Sequence, residues 1–399
     1  MKISSEKLSY LRKQAADSAV LFLSAMIIGA LCGVIGALFA KSIEFVTELR
    51  AENNWLVYLL PLGGLVSVGL YRLTKNEGIG TVRVLETARG KAEIPVLLMP
   101  AVFISSVITH LFGGSAGKEG AALQIGGAVA EVVSKLTRAD GNKRSVYTVC
   151  GMAALFSAVF GTPVGACVFA MEVVLSGKLI VSAAFPALLS SVAAHLVSVS
   201  IGVSPERFHI PSVPQFGFGV LVKTLGLAVI IAAVSVLFCF LLHKGEHLFA
   251  KMLKNPFVRI MAGGCAIIIL TLIFGTDYNG GGLGIIERIF EEGTVKPEAF
   301  FLKIIFTVIT VSAGYKGGEI VPSFFIGSTL GATVAPLFGF PPEYAAAIGI
   351  AAFFCGVTNC PIASAIISVE LFGSEGFVLF ASASFIARAV SGKICLYSK

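Results

Sequence analysis

A chain of 399 residues that is 56% hydrophobic and 13% charged, with a mean hydropathy of +0.90, does not have the mix of a soluble globular domain. Its net charge of +7 is carried by bases in short connecting segments, among them Lys135, Arg138, Lys143, Arg144, Lys244, Lys251 and Lys254, which argues for positive-inside topology and against a nucleic-acid partner.

In chain order, residues 1–16 form a polar amino-terminal segment with Lys2, Lys7, Arg12 and Lys13. Together with Arg388, Lys393 and Lys399 at the other end, they predict both termini in the cytoplasm and an even number of crossings. The apolar run 19–40 is too long for a signal-peptide core and is expected to be retained in a multi-pass protein of the cell membrane. Further apolar runs with at most one acid or base follow at 55–71, 94–112, 145–175, 179–203, 216–243, 260–274, 304–313 and 345–371. About 20 apolar residues span a bilayer core, so most of these are expected to cross it. The glycine-bearing runs 121–133 and 320–338 are expected to be too short, and to form half-helices buried inside protein.

The order of these runs hides a repeat. Gly151, Ala153, Ala154, Phe156, Pro163 and Glu172 are matched by Gly349, Ala351, Ala352, Phe354, Pro361 and Glu370, each 198 positions on. A second pair precedes them at a similar spacing: Gly117, Lys118, Glu119 and Gly120 in one half, Gly317, Gly318, Glu319, Ile320, Val321 and Pro322 in the other. The chain therefore reads as a first membrane repeat, 17–203, a proline-bearing polar linker, 204–215, and a second membrane repeat, 216–399. In transporters, paired broken segments of this kind meet near the midplane and aim helix amino termini at an anion.

Glu119 is the first candidate for function, because an ionisable group in apolar sequence is costly and the adjoining glycines let backbone amides approach an ion. The plainer alternative is an interfacial charge paired with Lys118. Glu319 repeats the placement, with a first-turn or capping acid as its alternative. Glu172 and Glu370, at the repeat-related helix ends, read as caps or salt-bridge partners. The eight cysteines and five histidines lack metal-ligand spacing, so no metal and no cofactor is expected.

These segments resemble the CLC family of chloride channels and anion/proton antiporters. Gly117-Lys118-Glu119-Gly120 with its trailing Gln124-Ile125-Gly126-Gly127 is similar to the family's G-[KR]-E-G-P segment, Gly317-Gly318-Glu319-Ile320-Val321-Pro322 to its G-G-x-F-x-P segment, and Tyr397 to its anion-coordinating tyrosine. The resemblance implies an all-α integral membrane fold of two inverted-topology repeats with broken, re-entrant helices, and a homodimer with one pathway per subunit. It also implies a secondary active ion transporter, not an enzyme; the cytoplasmic regulatory domains of many relatives are not expected here, because the chain ends at Lys399, just past Tyr397.

Three departures bear on the ion. Gly78-Ile79-Gly80-Thr81 stands where ordinary members have G-S-G-I-P, Glu319 occupies the x of G-G-x, and Val173 replaces the internal proton-carrying glutamate of chloride/proton exchangers. The acid in K-G-G-E resembles the fluoride-exporting branch. The expected function is thus fluoride/proton antiport for fluoride resistance, with gating and proton transfer by Glu119 and Glu319. Anion binding would fall to Ile79, Gly80, Thr81, Lys118, Gly120, Gly318, Ile320, Val321 and Tyr397, with either Ile79 or Thr81 facing the ion. The alternatives are a chloride channel or chloride/proton exchanger of the same fold and, more distantly, an intramembrane enzyme using Glu119 and Glu319 as an acid pair.

Overall fold

The computed structural model describes residues 5–398, with side chains described from Ser18 onward. Among them are sixteen α-helices and no strand. The first eight are α1 (Ser5–Glu52), α2 (Leu60–Leu73), α3 (Thr81–Ala88), α4 (Leu98–Leu111), α5 (Glu119–Leu136), α6 (Gly141–Phe160), α7 (Pro163–Val173) and α8 (Ala184–Ser200). The second eight are α9 (Phe218–Met252), α10 (Pro256–Phe274), α11 (Leu283–Glu292), α12 (Ala299–Ala313), α13 (Ile320–Phe338), α14 (Pro342–Thr358), α15 (Pro361–Phe372) and α16 (Phe377–Ser391). The amino-terminal segment expected at 1–16 lies partly outside the described residues; from Ser5 the backbone continues into α1 without a break.

Each helix finds its equivalent eight places on. The packing of α5 on α6 is answered by α13 on α14, α1 on α8 by α9 on α16, and α6 on α8 by α14 on α16. Three helices pack on their own equivalents: α2 on α10, α5 on α13 and α7 on α15. An element touches its own equivalent only beside the axis relating the two halves, so these pairs mark a pseudo-two-fold. Glu172 at the carboxyl end of α7 meets the first turn of α15, and Glu370 of α15 meets the first turn of α7, so the two equivalents run antiparallel. The halves are inverted repeats.

Among the described residues, six helices are long and apolar enough to cross a membrane, including 35-residue stretches of α1 and α9. The run 320–338 is one of them, contrary to the expectation that it is too short: α13 is a 19-residue helix, and 78% of its apolar window is buried inside the protein. What distinguishes it from a lipid-facing span such as α10, whose window is 28% buried, is its position in the core, not its length. The runs 145–175 and 345–371, conversely, are each two helices. Gly161 (φ 81°) and Asn359 (φ 61°) take the left-handed conformation that ends α6 and α14, and Pro163 and Pro361 open the next helix where a missing N–H does no harm.

The glycines of the repeat set the helix spacing. A Cβ on Gly126 would meet the Gly151 carbonyl and one on Gly151 the Gly126 carbonyl; Gly327 and Gly349 stand in the same relation. Backbones of α5 and α6, and of α13 and α14, therefore touch directly, a small-residue contact that buries helices without a large apolar side chain. Off this core, Arg144 bridges Glu93 and Glu131 at 2.7 Å each, and the Arg144 guanidinium holds the exposed Glu93 carboxyl below its ordinary range. Lys303, fully buried, donates to the carbonyls of Tyr278 (3.0 Å) and Gly280 (2.6 Å) behind the turn that adjoins Gly114.

Candidate functional site

The two glycine-glutamate segments meet at one point. Gly117 N–H donates to Gly318 O and Gly318 N–H to Gly117 O, both at 2.6 Å, forming an isolated antiparallel bridge between residues of opposite halves. The approach is so close that a Cβ on Gly120 would lie 2.7 Å from the Gly318 Cα, so side chains are excluded at this junction. Immediately beyond the bridge, Glu119 opens α5 and Ile320 opens α13. Neither helix has a side-chain cap, so the N–H groups of both first turns and the positive ends of both helix dipoles converge on the junction.

Glu119 is fully buried, and neither carboxyl oxygen has a donor in hydrogen-bonding geometry, although the N–H groups of Lys118 and of Glu119 itself lie close by. Lys118, the partner in the plainer alternative, is turned elsewhere: the Lys118 Nζ is 3.3 Å from Glu206 Oε1. Glu319 occupies the residue before α13 but does not cap it, and its carboxylate lies beside Gly120, whose Cβ position is 3.5 Å from Glu319 Oε2. Val321 wedges against Gly117 from the other side. Thus Lys118, Glu119, Gly120, Gly318, Glu319, Ile320 and Val321 gather around one bridge.

Tyr397 reaches the same region from the carboxyl-terminal tail. The N–H of Leu396 donates to Val357 O (2.8 Å), which pins the tail to α14. The Tyr397 hydroxyl is buried without a partner and lies within electrostatic reach of Glu319. The segment Ile79, Gly80 and Thr81 joins the site less directly. Gln124, on α5 five residues past Glu119, donates from Nε2 to Thr81 Oγ1 (3.1 Å), leaving the Thr81 hydroxyl proton free to donate in turn. The Gln124 Oε1 is buried without a partner. Ile79 packs against the hydrophobic core, and the space beyond Gly80 is open.

Two features of the site have no sequence signal. Glu206 comes from the linker, 88 residues from Lys118, and nothing in a short Pro-Glu-Arg stretch announces that contact. Phe156, Phe160, Phe324, Phe354 and Phe169 form a closed circuit of ring contacts, centroids 5.2–5.6 Å apart, that walls the axis between α6, α7, α13 and α14.

Against known proteins, residues 62–392 match the voltage gated chloride channel family. The chain is 31% identical to a chloride/fluoride channel protein of Pseudomonas syringae pv. tomato over 93% of this chain and 84% of that one. With the H(+)/Cl(-) exchange transporter ClcA of Vibrio cholerae it shares 24% identity over 93% and 85%. Among solved structures it is similar to a CLC-type fluoride/proton antiporter, with a TM-score of 0.91 at 30% identity covering 99% of this chain and 98% of the other. A slow cyanobacterial Cl-/H+ antiporter, at 18% identity and a TM-score of 0.80, shares the fold.

Proposed function

The chain belongs to the voltage gated chloride channel family, and on that premise we propose that it is a fluoride/proton antiporter that removes fluoride from the cytoplasm. The observation that carries the reading is the placement of two carboxylates, Glu119 and Glu319, on either side of a junction where two uncapped helix amino termini converge. Fluoride is small, strongly hydrated and basic, so it accepts hydrogen bonds that chloride accepts weakly. A protonated carboxyl donates such a bond; an ionised one occupies the anion's seat. Proton binding at Glu119 therefore exchanges repulsion for attraction, which couples the two ions.

In this reading Glu119 is the gate and proton carrier, and Glu319 assists by discriminating the ion. The N–H groups around Gly120, Gly318, Ile320 and Val321 replace hydration water, Lys118 contributes charge, and Tyr397 supplies a hydroxyl. Thr81, rather than Ile79, offers the polar contact at Gly80, since Ile79 packs into the core. The transporter works as a homodimer in the cell membrane with both termini in the cytoplasm, and its cycle is secondary active, driven by the proton gradient. The similarity to the Pseudomonas chloride/fluoride channel protein and to the fluoride/proton antiporter structure supports this reading over a chloride exchanger.

The test is flux from proteoliposomes loaded with fluoride or chloride. Fluoride efflux is expected to be faster and to move protons the opposite way. Chloride efflux at least as fast would sink the assignment.

A further inference from the structure

We propose that Glu206, in the segment joining the two halves, holds Lys118 away from Glu119 and so leaves the gate glutamate free to take up its proton. Lys118 is the cation adjacent to Glu119 in sequence and the natural partner for its carboxylate, yet both Glu119 oxygens are buried without a hydrogen bond. The ammonium is instead committed to Glu206 at 3.3 Å, with side-chain exposures of 13% and 16% that make this more than a screened surface contact.

Glu206 is in turn held rigidly. Its own N–H donates to Phe160 O (3.3 Å) at the end of α6, and Phe208 N–H donates to Leu371 O (2.9 Å) near the end of α15. Arg207 Nη1 donates to Glu370 O (3.1 Å), and the Phe208 ring stacks on Phe290 at 5.0 Å. A segment that composition marks as a connector is thus docked on both halves, with one carboxylate aimed at the residue before the gate.

Charge logic gives this a consequence. An opposite charge within about 4–6 Å lowers a carboxyl's pKa by roughly 1–3 units. The Lys118 charge already bears on Glu119 from its seat at Glu206; released, the ammonium would close on the Glu119 carboxylate, keep it ionised and leave it lodged in the anion's seat. The charged groups facing Glu206 are Lys118 and Glu287 of α11, its chain neighbour Arg207 being turned to the Glu370 carbonyl; those facing Glu119 are Lys118, Glu206 and, across the bridge, Glu319. His110 of α4 lies within reach of Lys118. Among the described residues none but Glu206 is paired with Lys118, so removing it has no substitute there. Glu206 touches no ion on this account; it is a positioning residue.

The inference rests on the antiport reading, and one experiment separates the two. Proton-coupled fluoride efflux is measured across a pH series for wild type, Glu206→Gln, Glu206→Asp and the double variant Glu206→Gln with Lys118→Met. Glu206→Gln is expected to move the pH of half-maximal efflux about one unit or more toward acid. Glu206→Asp keeps the wild-type midpoint, and the double variant, whatever its efflux rate, loses the acid shift of Glu206→Gln. A merely structural linker predicts slower efflux in both glutamine variants with the midpoint unmoved. That result, or an acid shift that persists in the double variant, overturns the proposal. A wild type that carries fluoride without moving protons removes the antiport reading instead.

Discussion

Four glutamates sit near helix amino termini at the axis of this protein, and the two pairs are used in opposite ways. At α7 and α15, each opening turn is closed by its counterpart's acid. Glu370 accepts from Val164 N–H (3.0 Å) and Gly165 N–H (2.7 Å), while Glu172 accepts from Ile362 N–H (3.3 Å) and Ala363 N–H (2.8 Å). At α5 and α13 the acid lies in sequence at the helix entry, yet makes no cap. A carboxylate that closes a helix end is satisfied and has no reason to move. Glu119 leaves both the helix end and itself unsatisfied, which is expensive, by roughly 1–3 kcal/mol or more for a buried charged group, and such sites persist where a ligand or a proton completes them. On the proposed function, the acid alone does not mark the site; at Glu119 the missing hydrogen bond does.

Substitutions test that contrast. Glu119→Gln is expected to abolish proton-coupled fluoride turnover, by about a hundredfold or more, the scale of a lost proton-transfer group. Thermal unfolding in detergent should be unchanged or shifted upward, since an unsatisfied buried charge has gone. Retained proton flux would remove Glu119 from the mechanism and collapse the contrast. For Glu319→Gln, the expected effect is about a tenfold fall in the ratio of fluoride to chloride efflux, the loss of one good hydrogen bond to the ion, with turnover persisting. An unchanged ratio would reassign Glu319 to the structural pair. Glu172→Ala and Glu370→Ala should each lower stability by about 1–2 kcal/mol, the loss of a helix cap, with the ion ratio unaffected. A changed ratio there would blur the division.

Much of this division is readable in the chain, and the reason is symmetry. Gly151 with Gly349, Pro163 with Pro361 and Glu172 with Glu370 repeat because the same helix crossing and the same cap are built twice, so the sequence carries two copies of each requirement. The meeting of Gly117 and Gly318 follows from equivalent segments lying at the axis. Features made only once have no such echo. The docking of Glu206 on Lys118, the pairing of Thr81 with Gln124 and the burial of Lys303 behind the Gly280 turn depend on tertiary proximity, with neither periodicity nor a second copy to reveal them. The length of α13 is illegible for a different reason: glycines that suggest a break serve as contact points for α14.

The bridge between Gly117 and Gly318 also has a history in time. The ribosome delivers these residues 201 positions apart, which at 5–20 residues per second is a wait of roughly 10–40 s. Throughout it, the newly inserted first half has the amino terminus of α7 without Glu370 and Gly117 without its partner. Neither half is a finished object. Closure of the bridge waits on the second half, so a chain truncated before Gly318 should remain a substrate for membrane quality control.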